Sequence, residues 1–350
     1  SGLGNLTLAD VGGTATFSNN VAAAALNADN TVANVTFTGG TNTFSGAATF
    51  ANDGTLTFGD ATGDSFTFNG GLTTTNVGGT VTLNGTIASS NDAIVFGAVT
   101  LGSNTVVDTN ATNGTGDITI AAVTGGNNTL TLTTENNIAN ADITASGAIA
   151  GVTTLTLASV GGTATLSADV DVTTLAVDNT VANVVFTGNG SSVTNAVDFA
   201  NDGTLTLGQN GGTQTYNAGL DTTNVGGVVT LNGTIASSND AVVLGAVTLG
   251  SNTVVDTNAT NGTGDITIAA VTGGNNTLTL TTENNIANAD ITASGAIAGV
   301  TTLTLASVGG TATLSADVDV TTLAVDNTVA NVVFTGNGSS VTNAVDFAND

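Results

Sequence analysis

Residues 77–87 read VGGTVTLNGTI: a Gly-Gly turn, then Val81, Leu83 and Ile87 separated by small polar residues. Apolar residues alternating with threonine have the period of two that a strand with one buried face requires. The pattern returns as LTL (6–8), ATF (15–17), VTF (35–37), LTF (56–58), ITI (118–120) and LTLTT (130–134). Gly, Asn, Asp and Ser fill the gaps, and these residues tolerate left-handed and tight-turn geometry. Threonine suits the outer positions, being β-branched and polar. No stretch keeps a helical period for three turns, so the chain reads as all-β.

Residues 97–202 reappear unchanged as residues 245–350, 148 positions later. A single active site has no use for such duplication, whereas stacked units need neighbours with matching faces. The repeat also extends beyond the perfect copy. GTLTF (54–58) matches GTLTL (203–207) at a spacing of 149, and Phe68-Asn69 matches Tyr216-Asn217 at 148. A one-residue length change therefore falls between Gly59 and Phe68. A further motif recurs as VGGTATF (11–17), VGGTVTL (77–83), VGGTATL (160–166), VGGVVTL (225–231) and VGGTATL (308–314). Its intervals alternate between shorter and longer, which suggests two related halves per period. The chain reads as one continuous array over 1–350: a partial period at 1–54, then full periods at 55–202 and 203–350. Ser1 aligns with Ala150 and Asp350 with Asp202, both inside the repeat, so a window of a longer polypeptide is expected. Ser1–Leu8 holds no charged, apolar targeting segment.

Two all-β architectures could use this pattern. In a β-solenoid, or parallel β-helix, strands stack on equivalent strands of the next coil around a narrow core. In tandem β-sandwiches, each unit closes its own core and calls for aromatic anchors and linker prolines. The chain has no proline, and 12 Phe with 1 Tyr make up only 4% of it, so the solenoid with a thin Val, Leu, Ile and Ala core is favoured. With about 20 residues per coil it would form roughly 17 coils, a rod of about 80 Å at ~4.8 Å per strand.

VGGTVTLNGTI (77–87), ANDGTLTFG (51–59) and ITASGAIAG (143–151) resemble the strand-and-turn repeats of large secreted bacterial surface proteins. These are the filamentous-haemagglutinin-like and autotransporter-passenger group. The resemblance covers the whole chain and implies a right-handed parallel β-helix used in adhesion and biofilm structure, outside the cell. It lies in scaffold repeats, so no functional residue carries over.

The composition excludes several classes. There is no Lys, Arg, His, Cys, Met or Trp, and the formal charge is -26. Without Lys or Arg the chain cannot neutralise phosphates, so nucleic acid is not an expected partner. Anionic membrane surfaces would repel it, and apolar runs such as Val21–Leu26 are too short to insert. No Ser–His or Cys–His nucleophile system can be assembled, and no enzyme is expected. The expected partners are copies of the chain, joined end to end or laterally, and the cell surface or matrix. The expected role is an extracellular structural or adhesive fibre segment, with a surface layer or sheath, or an ice- or ligand-binding solenoid, as alternatives. A solenoid also exposes strand edges at both ends, so cap segments or end-to-end joining are expected.

A structural Ca²⁺ is the one cofactor expected. Asp108, Asn110, Thr112 and Asp117 place oxygen atoms around a Gly turn, and Asp256, Asn258, Thr260 and Asp265 repeat them. The spacing partly resembles an EF-hand loop, but Gly114 comes one position late and Thr119 stands where a bidentate Glu would close it. Asn and Asp capping solvent-exposed turns is the alternative reading of the same residues. Thr-x-Thr recurs at Thr14/Thr16, Thr80/Thr82, Thr129/Thr131/Thr133 and Thr163/Thr165. Its irregular spacing does not assure a flat, lattice-matching face. Sequons occur at Asn34, Asn84, Asn110, Asn113 and Asn189.

Overall fold

The computed structural model describes residues 2–112, 116–260 and 264–349. The chain divides into two compact units, Ser1–Asn183 and Val184–Asp350. Each is a β-solenoid of parallel strands, with about 16 turns in the two together. No helix occurs among the described residues.

Three hydrogen-bonded walls enclose the core of the first unit. Thr14–Phe17 starts the first wall and is followed by Asn34–Phe37, Leu56–Phe58 and the start of Val81–Ser89. The second runs from Thr41–Phe44 through Ser65–Phe68 to the end of Val81–Ser89. The third runs from Ala48–Phe50 through Leu72–Thr73 to the start of Ile94–Asp108. These pairings are parallel and join residues one coil apart, which excludes the antiparallel sheets of tandem sandwiches.

Coil length is not constant. The coil that carries Val81 to its partner Val99 is short, and the one that carries Val123 to Ile149 is much longer. The strands hold register, so the variation is absorbed at the corners. Gly59–Asp64 links Leu56–Phe58 to Ser65–Phe68 in the first unit, and Gly208–Gly212 links the equivalent strands in the second, one residue shorter. Gly85 turns the chain from first to second wall with φ of +72°, and a Cβ there would collide with the Asp64 carbonyl oxygen. Only glycine fits.

The 148-residue period is not a whole number of coils. In the second unit, Val184 heads a ladder through Leu205, Val229, Val247, Val271 and Ile297 to Val318. Its copy, Val332, stands instead in the ladder from Val197 through Leu220, Val242, Ile266, Ile291 and Ala312. One period therefore returns a residue to a different wall.

The core departs from the aliphatic interior expected. Phe37, Phe44, Phe50, Phe58, Phe66 and Phe68 are all fully buried in the first unit. Parallel register sets rings of successive coils over one another, so they stack along the axis without widening the coil. Phe17 and Phe37 lie 4.8 Å apart and Phe44 and Phe68 5.0 Å, both stacked, while Phe50 meets Phe58 edge-on at 5.3 Å. In the second unit Gln214 and Tyr216 replace Phe66 and Phe68. The Tyr216 hydroxyl donates to Gln214 Oε1 at 3.1 Å, and Gln214 Nε2 donates to the Phe186 carbonyl at 2.9 Å. Burial pushes the Tyr216 phenol far above its ordinary range.

A three-part latch joins coils at one kind of corner. The Thr31 hydroxyl accepts the Asp10 N–H at 2.6 Å and donates to Asp29 Oδ1. These hydrogen bonds, from hydroxyl and then N–H of Thr31, hold the Asp29 carboxyl below its usual range. Ser159, Thr180 and Asp178 repeat the arrangement, as do Ser307, Thr328 and Asp326. Asp10, Ser159 and Ser307 have φ of 54°, 52° and 53°, a conformation costly for these residues that lets each N–H reach its threonine.

Two substitutions test these contacts by urea unfolding. Tyr216→Phe leaves Gln214 Oε1 without its donor and lowers stability by about 1–2 kcal/mol, and Gln214→Phe added to it restores most of the loss. Thr180→Val strands the Ser159 N–H and costs about 1–2 kcal/mol.

Candidate functional site

Asp108 ends the strand Ile94–Asp108, in register with Ala88 in the preceding coil and Thr133 in the next. Its Oδ1 accepts the Asn110 N–H at 2.7 Å, a local turn that places Asn110 at φ +45°. The Thr109 hydroxyl donates to the Gly116 carbonyl at 2.5 Å and closes the neck of the loop. The Thr112 N–H donates to Asn91 Oδ1 at 2.8 Å, in the preceding coil. Asn113, Gly114 and Thr115, including the late glycine and one sequon, lie outside the described residues, as do residues 261–263.

The next coil contributes a group that the loop pattern did not indicate. Glu135, Asn136 and Asn137 have φ of 49°, 52° and 49°, three consecutive residues in the left-handed region. Asn136 Nδ2 donates to the Ala111 carbonyl at 3.2 Å, fastening this turn to the one before it. Half-burial pushes the Asp108 carboxyl above its ordinary range. The Asn110 N–H opposes that shift, and the charge of Glu135 adds to it. Glu135 and its copy Glu283 are the only glutamates in the chain. Their rarity is the one sequence signal that could have drawn attention to them.

Asp117 is used differently. Its Oδ1 accepts the Asp142 N–H at 3.0 Å, and Asp142 Oδ1 accepts the Thr163 N–H at 2.7 Å, one coil further on. The carboxylates step along the axis and satisfy corner N–H groups. Of the four residues singled out in this loop, Asp108 and Asn110 share one turn, Thr112 is tied to the coil before, and Asp117 to the coil after.

The second copy reproduces the network. Asp256 Oδ1 accepts the Asn258 N–H at 2.8 Å, the Thr260 N–H donates to Asn239 Oδ1 at 2.8 Å, and Asp265 Oδ1 accepts the Asp290 N–H at 2.9 Å. Burial, then the Asn258 N–H in opposition, then Glu283, set the upward displacement of the Asp256 carboxyl. Among the described residues no three Asp or Glu side chains gather as a metal-binding group. Asp108 with Glu135, and Asp256 with Glu283, are carboxylate pairs that a cation could draw on, together with loop carbonyls. Calcium takes six to eight oxygens, so two carboxylates would supply only part of the set.

Other candidates sort by exposure. Asn84 is buried, its Nδ2 donating to the Phe58 and Gly59 carbonyls at 3.1 and 2.9 Å, so its sequon is closed to modification. Asn110 and Asn189 are exposed. An open depression lined by Asn275, Thr301, Asp319 and Ser340 holds small polar side chains and no base beside a nucleophile. No helix among the described residues is long and apolar enough to cross a membrane. The chain matches no protein-family model, no curated protein and no solved structure.

The raised carboxyls give a signed pH prediction. A carboxyl whose folded pKa lies above its unfolded value destabilises the fold when ionised, and the penalty is relieved as pH falls through the folded value. Asp108→Asn with Asp256→Asn retains the oxygen acceptor for Asn110 and Asn258. In EDTA at pH 7 the double variant melts a few degrees higher than the parent, and the gain vanishes below about pH 4, where the parent carboxyls are protonated.

Proposed function

We propose that the chain is a non-catalytic, extracellular structural or adhesive fibre segment of the filamentous-haemagglutinin-like or autotransporter-passenger kind. The observation that carries this reading is that the duplicated sequence, 97–202 and 245–350, repeats the same strand pairings from coil to coil. Val99 pairs with Val123 and Thr105 with Leu130 in one copy, and Val247 pairs with Val271 and Thr253 with Leu278 in the other. Duplicated coils add length and surface, which is what a scaffold needs and a catalyst does not. The residue inventory supports the reading, because the chain has no histidine, lysine, arginine or cysteine to act as base, clamp or nucleophile.

In this proposal the partners are further copies of the chain and a cell surface or matrix. The acidic corners keep neighbouring chains apart, and divalent cations, Ca²⁺ above all, screen them and bind at the Asp108–Glu135 and Asp256–Glu283 turns. The lack of Lys and Arg also denies trypsin-like proteases a cleavage site, an advantage for an exposed fibre.

Electron imaging of material released from intact source cells tests the fibre. Continuous surface filaments with an axial reflection near ~4.8 Å are expected, and a dispersed protein retained inside the cells overturns the proposal. For calcium, the parent is expected to melt higher in millimolar Ca²⁺ than in EDTA, with the rise absent from the Asp108→Asn, Asp256→Asn variant. An unchanged melting temperature removes the ion from the account.

A further inference from the structure

Thr-x-Thr is irregularly spaced along the chain, but the coil register removes the irregularity. On the first wall of the first unit Thr16 pairs with Thr36, Thr36 with Thr57, Thr57 with Thr82, Thr82 with Thr100 and Thr100 with Thr124. Threonines set at uneven steps in sequence thus stand in one column across successive coils. They alternate with buried positions such as Val35, Phe37, Leu56 and Phe58, and all six are partly or fully exposed.

A second outward column runs beside it, two residues earlier in each strand. It holds Thr14 paired with Asn34, then Thr55 and Thr80, which precede the paired Leu56 and Val81, and ends in the paired Ala98 and Ala122. Successive coils are ~4.8 Å apart and alternate residues of a strand ~6.6 Å apart, so the wall repeats in two directions. Neither column contains a carboxylate from Thr14 to Thr124, in a chain with 26. The first acid to appear is Asp171, reached through Ala150 two coils beyond Thr124. The second unit rebuilds the column as Thr206, Thr230, Thr248 and Thr272, again followed by an alanine, Ala298, and an aspartate, Asp319.

We propose that this threonine wall binds the surface of ice. A face that repeats in two directions is matched by a partner that does the same, as a crystal face does. The partner is uncharged, because neither column carries an ionisable group from Thr14 to Thr124 although carboxylates crowd the corners. Threonine offers a lattice of water molecules both a hydroxyl to hydrogen-bond and a methyl group to pack against. Phe37 and Phe58 of this wall are fully buried, so it presents no ring there on which a sugar could stack. A second copy of the chain is disfavoured on this wall, because the columns from Thr14 to Thr124 hold no carboxylate through which a divalent cation could bridge two chains of like charge.

The test is partition of the isolated chain into slowly growing ice, assayed by gel, together with the gap between melting and freezing points. The parent chain is expected to be enriched in the ice and to open a measurable gap. Thr57→Tyr with Thr82→Tyr places two bulky rings on the wall and is expected to reduce enrichment at least fivefold. Val95→Tyr with Val106→Tyr puts the same bulk on the other two walls, where a valine already interrupts the column, and is expected to leave enrichment unchanged. Melting curves establish that all three proteins are folded. The proposal is overturned if the parent enters ice no more than an unrelated acidic protein does. Equal behaviour of the two double variants, or retention on crystalline cellulose in place of ice, also overturns it.

Discussion

Backbone pairing between one coil and the next is the constraint on which the rest of this structure depends. A single coil cannot bury its apolar face alone. Stacking closes the core and satisfies the strand N–H and C=O groups in one step. The second unit shows the effect on identical sequence. Phe186 and Phe199, with further coils stacked beyond them, are fully buried, whereas their copies in its last coil, Phe334 and Phe347, are 36% and 49% exposed.

Corners are where such a fold is vulnerable, because the chain leaves the ladders and its polar groups need other partners. Short polar side chains supply them. Asn20, Asn34, Asn91 and Asn104 each accept an N–H from the following coil through Oδ1, at 2.8 to 3.0 Å. Asp117 and Asp142 do the same with carboxylates. The chain's richness in Asn and Asp therefore has a conformational cause, and the side-chain bonds run from side chain to backbone more than along ladders of like residues. The cost of using carboxylates is charge, and most of it is held at corners, away from the threonine columns.

The core shows how duplicated scaffolds diverge. The phenylalanine stack of the first unit is thinned in the second, where Leu207 stands for Phe58 and Val193 faces Tyr216. Gln214 is tolerated inside because Tyr216 supplies its acyl oxygen with a donor and the Phe186 carbonyl takes its amide. Two polar changes that would each be costly singly are compatible together, as burial requires of polar groups.

The sequence by itself determined the fold class. Period-two alternation, Gly and Asn at the turns, no proline and an unchanged copy of 97–202 at 245–350 leave little besides a stacked all-β array. It also singled out Asp108, Asp117, Asp256 and Asp265 as turn residues. Tertiary structure alone decided which residues meet across coils, because coil length varies and a constant step along the chain does not predict the neighbour above. Glu135 comes within electrostatic reach of Asp108 for that reason, and six unevenly spaced threonines fall into one column. The same variation makes the period end on a different wall, as Val184 and Val332 do, so identity in sequence does not mean identity of face. Strand pairing is read locally from alternation; register is set by how many residues each corner takes up, and only the closed coil fixes that number.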